Sequence, residues 1–435
     1  MLKRRNKGVG ESTTVSSVRR FDRSSNKIPD TFCRFDKHPD YQQIKIQKAA
    51  GETLHIDNPF FIPREGVQSN LTSINGHQLI NFASYNYLDL CGHPVVSKAA
   101  KAAIDEMGTS VSASRPMSGE RTLQRELEAE LADFYGVEDS VVFVSGHATN
   151  VSTIGSLFGP NDLVVHDALI HNSVTQGVQL SGAHRLSFPH NDWKALDDLL
   201  EKNRLAYERV LIVVEGLYGM DGDIPDLPRF IEVKNRHKAF LMVDEAHAIG
   251  VLGHTGRGIA EHFGVDGPEV DIWMGTLSKT LASCGGYIAG EKTLIELLKV
   301  IAPGFLYSVG ISPPAAAASL AALKILKAEP ERVQRLQHNG SLFLQLAKER
   351  GIDTGLSEGY SVVPAITASS ISAVKLTNAL QARGVSVQPI IYPGVEEGAA
   401  RLRFFISSAH TDEQIQTAVE YLSEEAKKLK IKTLK

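Results

Sequence analysis

The chain has 435 residues, of which 43% are apolar and 22% charged, and its formal net charge is -4. This length exceeds what one hydrophobic core usually serves, so we expect two or three domains. The small net charge gives no general attraction to nucleic acid or to anionic membranes. The three cysteines have neither paired nor metal-ligand spacing, and no apolar run approaches the roughly 18 residues of a spanning helix. These features favour a cytoplasmic protein with no metal site, no nucleic-acid partner and no clear membrane segment.

Residues 1–57 are interpreted as a disordered or linker-like extension. The part up to Lys27 is basic and rich in serine but has few apolar residues, so it cannot bury enough surface to fold. Arginine and serine with little acid are also typical of organelle transit peptides, but an amphipathic leucine pattern is missing. A linker from a larger assembly or a simple tail is therefore the favoured interpretation.

The middle of the chain, residues 101–313, has the pattern of an α/β domain. A separate N-terminal segment, residues 58–100, comes before it. A small-residue loop, Ser112–Gly119, leads into a predicted helix, Thr122–Tyr135, with leucines at helical spacing. Short apolar runs then alternate with helix-length polar stretches, which predicts a mainly parallel sheet covered on both faces. The predicted strands are Val141–Val144, Leu163–Val165, Val210–Val214, Phe240–Val243 and Ile272–Met274.

After Pro314 the pattern changes to that of a smaller α+β domain, residues 314–435. Two helical stretches precede three strands, and a last helix closes the domain. The predicted elements are helices Ala315–Leu326, Val333–Glu349 and Asp412–Leu429 and strands Ser361–Val363, Val385–Ile391 and Leu402–Ile406.

Two strands of the predicted sheet lead directly into chemically active side chains. One runs into Asp244-Glu-Ala-His247, and the next runs into Thr276-Leu-Ser-Lys279. The carboxyl edge of a parallel sheet is where ligands bind, so these groups are expected to lie together. A carboxylate and a lysine among glycines suit a pyridine-type aldehyde cofactor, in which the lysine forms the imine and the acid pairs with the ring nitrogen.

Asp-Glu-Ala-His also occurs in nucleic-acid-dependent ATPases, which need a phosphate-binding loop upstream of that string. The nearest candidate here, Gly285–Thr293, lies downstream, and Glu291 breaks the Gly-Lys-Thr spacing. The ATPase interpretation is therefore not favoured. A better phosphate site is the turn Ser145-Gly146-His147, which follows a predicted strand and opens a helix whose first N–H groups suit an anion.

Two motifs together resemble those of the α-oxoamine synthases, a family of pyridoxal-phosphate enzymes: Asp244-Glu-Ala-His247 and Gly-Thr276-Leu-Ser-Lys279-Thr. The family includes 8-amino-7-oxononanoate synthase, serine palmitoyltransferase and 5-aminolevulinate synthase. The resemblance extends from about Asn58 to about Leu422. It implies the fold-type I transferase architecture, pyridoxal 5'-phosphate as cofactor, and a homodimer with active sites at the interface.

The resemblance also implies roles for residues around the cofactor ring. Lys279 would hold the cofactor as an imine, and Asp244 would pair with the pyridine nitrogen and keep the ring electron-withdrawing. His247 would hydrogen-bond the phenolic oxygen, and His171 would stack on the ring and meet the substrate. The family usually has serine at the position of Gly219, as a second donor toward the phenolic oxygen, so either His247 acts alone or a neighbour compensates.

A second set of implied contacts holds the cofactor phosphate. The backbone of Gly146 and His147 would receive it on one side, and the hydroxyls of Thr276 and Ser278 would hold it on the other. Ser308 resembles the position that reaches the phosphate of a neighbouring subunit, although the spacing after it is one residue longer than in 8-amino-7-oxononanoate synthase.

The implied substrate contacts come from both ends of the chain. Tyr85 and Asn86 belong to a stretch that resembles the entry motif of the family, in which Asp89 replaces a usual glycine. Arg401 and Arg403 fall on the same face of a predicted strand, so spacing alone does not choose between them as the carboxylate-binding group. The resemblance selects Arg403, whose guanidinium would bind the amino-acid carboxylate through two hydrogen bonds.

The implied reaction is a decarboxylative Claisen condensation of an α-amino acid with an acyl thioester, which yields an α-amino ketone, CO₂ and a free thiol. Lys279 would remove the Cα proton, and His171 would orient the substrate carboxylate and polarise the thioester. The acyl donor is coenzyme A or an acyl carrier protein, with a preference for the carrier. Two alternatives remain: another fold-type I enzyme, such as an aminotransferase or lyase, and a non-catalytic partner subunit, against which the presence of Lys279 argues.

Overall fold

The computed structural model describes residues 28–431. The basic start of the chain, which the sequence predicts to be unfolded, lies outside the described residues. The chain divides into two units, Met1–Asp57 and Asn58–Lys435, and each is described by itself. In the first unit, helix α1 (Pro39–Thr53), which was not expected, leaves Tyr41 and Ile46 exposed. The linker-like character of residues 1–57 stays a prediction.

The second unit contains the remaining helices and strands. In chain order these are β1 (Leu71–Ile74), β2 (His77–Asn81), α2 (Pro94–Met107), α3 (Thr122–Tyr135), β3 (Asp139–Phe143), α4 (Gly146–Leu157), β4 (Leu163–Asp167), α5 (Asn172–Ser181), β5 (His184–Phe188), α6 (Trp193–Asn203), β6 (Val210–Glu215), α7 (Leu227–His237), β7 (Phe240–Asp244), α8 (Ile259–Phe263), β8 (Ile272–Thr276), β9 (Gly286–Gly290), α9 (Lys292–Ile301), α10 (Pro303–Leu306), α11 (Pro313–Ala328), α12 (Glu331–Glu349), β10 (Val362–Ile366), α13 (Ser370–Ala382), β11 (Val385–Ser386), β12 (Gln388–Ile390), β13 (Arg401–Phe405) and α14 (Asp412–Lys428).

The main sheet has the strand order β3-β9-β8-β7-β6-β4-β5. Strands β4 to β8 pair in parallel, and β9 alone runs antiparallel to both of its neighbours. In β6, Val210 and Ile212 pack into one apolar cluster, whereas Leu211 and Val213 pack into another. Both faces of this strand are therefore buried, as expected for a parallel sheet between two helical layers. The prediction of a mainly parallel, doubly covered sheet is confirmed.

Two smaller sheets accompany the main one. Strands β10, β13 and β12 form an antiparallel sheet near the C-terminus. The hairpin of β1 and β2, which was not predicted, pairs in parallel with β11, with Ile80 opposite Val385. Residues of the predicted N-terminal segment thus share a sheet with residues of the predicted small domain. The proposed domain boundaries at residues 100/101 and 313/314 remain predictions.

Asp89 has a backbone conformation that explains why relatives would use glycine there. Its φ is +57°, in the left-handed region that favours glycine and that aspartate tolerates better than most residues. Its carboxylate accepts hydrogen bonds from Ser69 Oγ at 2.6 Å and from Asn86 Nδ2 at 3.3 Å. These local bonds offset part of the conformational cost.

Within residues 28–431, the structure contains no helix of the length and apolarity that a lipid bilayer crossing requires.

Candidate active site

Strand β8 delivers Lys279 to the carboxyl edge of the main sheet. The lysine Nζ lies 5.6 Å from the centroid of the Tyr85 ring, which stands at the opposite side of the cleft. Burial, assisted by the charge of Arg403, lowers the pKa of the Lys279 amine to about 8, although Asp244 and Glu215 act in the opposite direction. At neutral pH a far larger fraction of this amine is therefore unprotonated than of an ordinary lysine, as a nucleophile or proton acceptor requires.

Asp244 ends strand β7 and is buried, with 4% of its surface exposed. Its Oδ2 accepts a hydrogen bond from Asn150 Nδ2 at 2.8 Å, and its Oδ1 accepts one from the Ala246 amide at 3.0 Å. These bonds leave the carboxylate fixed in position at the edge of the sheet. Asn150 was not predicted as a site residue, since nothing in its spacing indicates the contact with a strand 94 residues further along the chain.

A hydrogen-bonded chain links this carboxylate to His171. Asn150 Nδ2 also donates to Ser173 Oγ at 2.9 Å, and that hydroxyl lies 2.7 Å from His171 Nδ1. The backbone amide of Ser173 also donates to His171 Nδ1 at 3.3 Å. Because Nδ1 is therefore an acceptor, the hydroxyl of Ser173 donates to it, and the hydrogen of the neutral ring resides on Nε2. Burial lowers the pKa of His171, with further lowering by Lys279, so the neutral form is favoured.

His247 follows β7 and is held by aromatic side chains. Its Nδ1 is 2.7 Å from the hydroxyl of Tyr87, and its ring is near-parallel to that of Phe405, with the ring centroids 6.5 Å apart. Burial, with the neighbouring charges of Lys279 and Arg403, places the pKa of His247 well below its ordinary value. Tyr87 was also missed, because a tyrosine in an apolar stretch looks like core in the sequence.

The start of α4 has the features of a phosphate cradle. Ser145 caps the helix through the Ala148 amide at 3.5 Å, and the first helical amides, at Gly146 and His147, have no acceptor within the helix. A Cβ added to Gly146 would lie 2.8 Å from Thr276 Oγ1, so only glycine fits beside that hydroxyl. Ser278 is exposed nearby and donates its amide to Thr276 Oγ1 at 3.2 Å. The predicted phosphate ligands of this chain are thus adjacent.

The structure distinguishes the two arginines of β13. Arg401 is buried and pairs with Asp221, so its charge is already neutralised. Arg403 instead extends to the cleft, where it donates to the carbonyl oxygen of Gly219 at 2.9 Å and to the Tyr85 hydroxyl at 3.3 Å. Its Nε is buried and has no hydrogen-bond partner among residues 28–431. This N–H group is therefore able to donate a hydrogen bond to the carboxylate of a ligand.

The side chain of Asn86 holds the turn that follows β2. Its Oδ1 accepts from the amides of Leu90 and Cys91 at 2.9 and 3.0 Å, and its Nδ2 donates to the carbonyl of Gln68 at 3.0 Å. The residue is 6% exposed, whereas its neighbour Tyr85 is 40% exposed and lies next to Lys279. The assignment of both residues to substrate binding stays a prediction.

Ser308 follows α10 in a partly exposed stretch beside Tyr307, which is 85% exposed. The described contacts do not connect it with Lys279 or Asp244. Its role toward a neighbouring subunit stays a prediction.

Glu215, at the end of β6, is a titratable group of the cleft that sequence reasoning did not use. It accepts a hydrogen bond from the Gly219 amide at 3.3 Å. Burial, together with the charge of Asp244, raises the pKa of its carboxyl to about 8. A mostly protonated Glu215 leaves Asp244 as the carboxylate that carries the negative charge next to Lys279.

These residues fit a pyridoxal-phosphate molecule. Three features occur along one edge of the sheet. They are the Lys279 amine with its lowered pKa, the buried carboxylate of Asp244, and the start of α4, where Gly146 leaves space because it has no side chain. The residues that would hold the phosphate (Gly146, His147, Thr276 and Ser278) lie apart from the group that would pair with a pyridinium (Asp244), as an elongated cofactor requires.

Comparisons with known proteins support this interpretation. Residues 77–422 match the aminotransferase class I and II family. The chain is 40% identical over 370 residues to an 8-amino-7-oxononanoate synthase from Fervidobacterium nodosum, covering 84% of this chain and 93% of that one. The Bacillus pumilus enzyme of the same name is 38% identical, covering 84% and 92%.

Among solved structures, the serine palmitoyltransferase of Sphingomonas wittichii has a TM-score of 0.86 at 27% identity, covering 91% of this chain and 99% of that one. A variant of the S. paucimobilis enzyme, solved with a bound PLP–myriocin aldimine, has a TM-score of 0.85 at 27% identity and covers 90% and 98%. The family match and the identity to these relatives extend over most of the chain. The chain therefore belongs to the aminotransferase class I and II family and, within it, to the α-oxoamine synthases, which are pyridoxal-phosphate-dependent acyltransferases of fold type I.

Proposed function

We propose that this chain catalyses the decarboxylative condensation of an α-amino acid with an acyl thioester, which produces an α-amino ketone, CO₂ and a free thiol. The observation that carries the proposal is the convergence of Lys279, Asp244 and Arg403 on one cleft. Tyr85 lies next to both Lys279 and Arg403, and the charges of Asp244 and Arg403 both act on the Lys279 amine. The curated relatives are named for the product 8-amino-7-oxononanoate, which is itself an α-amino ketone.

When bound, pyridoxal phosphate condenses with an amino group and accepts the electrons released at the substrate Cα. Asp244, held by Asn150, supplies the negative charge that keeps the pyridine nitrogen protonated. Lys279, with its pKa of about 8, takes the Cα proton once the amino acid has displaced it. Gly146 and Thr276 bind the phosphate.

Two further groups orient the substrates. Arg403 binds the amino-acid carboxylate through its fork, because its Nε has no hydrogen-bond partner among residues 28–431 and its Nη2 reaches the Tyr85 hydroxyl beside Lys279. His171 presents its Nε2–H, since Ser173 occupies Nδ1. This donor can polarise the thioester carbonyl during bond formation and then hold the carboxylate that leaves as CO₂.

The acyl donor is a coenzyme A or carrier-protein thioester, and the active form is a homodimer in which Ser308 of one chain contacts the phosphate site of the other. A homodimer is consistent with the exposure of Tyr307 next to Ser308. Both statements rest on the family resemblance.

The test is a two-stage measurement on the purified protein with cofactor added. The twenty amino acids are first screened for a change in the visible absorbance of the bound cofactor, and acyl-CoA and acyl-carrier thioesters are then added to those that respond. The proposal expects CO₂ and free thiol in equal amounts, and expects neither from Lys279→Ala. An aminotransferase would release neither product, a lyase would not consume the thioester, and a non-catalytic partner would show no cofactor absorbance.

A further inference from the structure

Gly219, in the loop after β6, lies directly against the ring of His247. A Cβ added there would lie 2.2 Å from His247 Nε2 and 2.4 Å from His247 Cδ2. Side chains do not approach this closely, so the imidazole occupies the volume that any side chain at position 219 would need. The backbone at Gly219 is not in the left-handed region. Glycine is therefore required there by space.

The same imidazole is held from its other side. The hydroxyl of Tyr87, which is fully buried, lies 2.7 Å from His247 Nδ1. Burial raises the pKa of Tyr87, so the phenol stays protonated and is able to donate. When it donates to Nδ1, the hydrogen of the neutral His247 ring must be on Nε2. That nitrogen is the atom directed at Gly219.

We propose that Gly219 and Tyr87 are positioning residues that together direct the Nε2–H of His247 toward the phenolic oxygen of the bound cofactor. Gly219 clears the space, and Tyr87 fixes the orientation and the tautomer of the ring. Because position 219 has no side chain, the imidazole donates this hydrogen bond without a second donor from that position. The inference rests on the proposed function only in naming that oxygen.

The arrangement of the ring can be tested without the cofactor. In protein labelled with ¹⁵N-histidine, the His247 signals are assigned by their loss in His247→Asn. The expected spectrum has an unprotonated Nδ1 and a protonated Nε2, and Tyr87→Phe is expected to abolish this preference. A protonated Nδ1, or an unchanged tautomer in Tyr87→Phe, would overturn the inference whatever reaction the enzyme catalyses.

The consequence for the cofactor is tested by a double-mutant cycle. Gly219→Ala should displace the imidazole and raise the Kd of pyridoxal phosphate about tenfold, as expected for the loss of one hydrogen bond to a charged group. In a His247→Asn background the same change should have little further effect, because the residues then no longer compete for space. Gly159→Ala is the matched control, since a Cβ there meets nothing within 4 Å.

Additive effects of Gly219→Ala and His247→Asn would contradict the inference, as would a Kd that stays the same in Gly219→Ala. Gly219→Ser serves as a second variant in case the alanine protein folds poorly. It should shift the pH titration of the visible band, because a hydroxyl replaces the imidazole as donor. Absence of any visible band in the unmodified protein would instead remove the proposed function and leave the tautomer result standing.

Discussion

At the scale of single residues, two arginines on one strand show how partners decide the role of identical side chains. Arg401 and Arg403 lie on the same face of β13, and the sequence alone left both open. Asp221 neutralises Arg401 inside the protein, whereas the contacts of Arg403 are with uncharged groups. These are the Gly219 carbonyl, the Met220 sulfur, the Tyr85 hydroxyl and the Phe405 ring. A ligand carboxylate can therefore gain a full ionic partner only at Arg403.

We expect Arg403→Lys to raise the KM for the amino acid by about tenfold to a hundredfold, since lysine cannot form the two-bond fork. Its melting temperature should stay close to that of the unmodified protein. Arg401→Lys is the matched variant and should have the opposite profile, with a lower melting temperature and a nearly unchanged KM. Steady-state kinetics and thermal unfolding distinguish the two, and equal KM effects would contradict the assignment.

The pKa of Lys279 makes cofactor capture depend on pH. Because the amine has a pKa of about 8, its reactive, unprotonated fraction rises between pH 7 and pH 9 and then levels off. The rate at which apoprotein develops the visible cofactor band should follow this curve in a stopped-flow experiment. Arg403→Met should move the curve to higher pH, because the positive charge of Arg403 contributes to the lowering. A curve centred near pH 10.5 would show an unperturbed amine.

At the scale of secondary-structure elements, a histidine between two aspartates, called the ion triad below, joins the end of β4 to the loops after β5 and β6. His190, after β5, lies 2.9 Å from Asp167 at the end of β4 and 2.8 Å from Asp223 in the loop after β6. Burial opposes the charge of this ring, but hydrogen bonds to both aspartates outweigh it and raise the pKa of His190 to about 10. The triad thus holds the loop that contains Gly219 against the neighbouring strands.

We expect His190→Gln to lower the free energy of unfolding by about 3 kcal/mol at pH 6, because two buried carboxylates lose their cation. The folded-state pKa lies above the unfolded value of about 6.5. This contribution is therefore fully present below pH 6.5 and is lost as the pH rises through about 10. Urea unfolding of both proteins from pH 6 to pH 10 should show the difference narrowing, and a constant difference would contradict the charged triad.

Sequence patterns located the elements with a clear apolar pattern and missed several that are polar or rich in glycine, among them α1, β5 and β9. Helix α3 was predicted with its observed bounds, and the five predicted strands of the main sheet are all present. Strand β9 was considered only as a phosphate loop because its glycines suggested a turn, yet all its residues are buried. Strand β5 escaped notice because it is an edge strand with a mostly exposed, polar sequence.

At the scale of the whole molecule, the site draws on residues that are distant in sequence, and this limits what a sequence reveals. Asp244 and Lys279 were predictable, because Asp244 ends one buried strand and Lys279 lies in the connection just after the next. Asn150 and Tyr87 were not, since their contacts depend on how strands and loops assemble in three dimensions. The commitment of Asn86 to its own turn was equally invisible, because the motif alone does not show hydrogen bonding.

The proposed homodimer allows a test by subunit mixing. If Ser308 serves the partner's site, a mixture of Lys279→Ala and Ser308→Asp chains contains heterodimers with one intact site. Each variant alone should have little activity, because one lacks the amine and the other repels the phosphate. After unfolding and refolding together, activity should return to about a quarter of that of the unmodified protein, on statistical pairing of equal amounts. No recovery would place Ser308 within its own chain's site or outside any site.

The reversal of direction between β8 and β9 has a mechanical consequence for the reactive amine. Thr276 is the register partner of Gly286, so the segment that contains Lys279 is a hairpin connection clamped at its base by a ladder of hydrogen bonds. Further hydrogen bonds inside the connection, from the amides of Leu277, Ser283 and Ala282 to the carbonyls of Gly285, Leu277 and Lys279, hold its backbone in place. The amine of Lys279 therefore changes position only by rotation about the bonds of its own side chain. Its distance from the backbone of the connection is limited by the length of that side chain throughout the reaction.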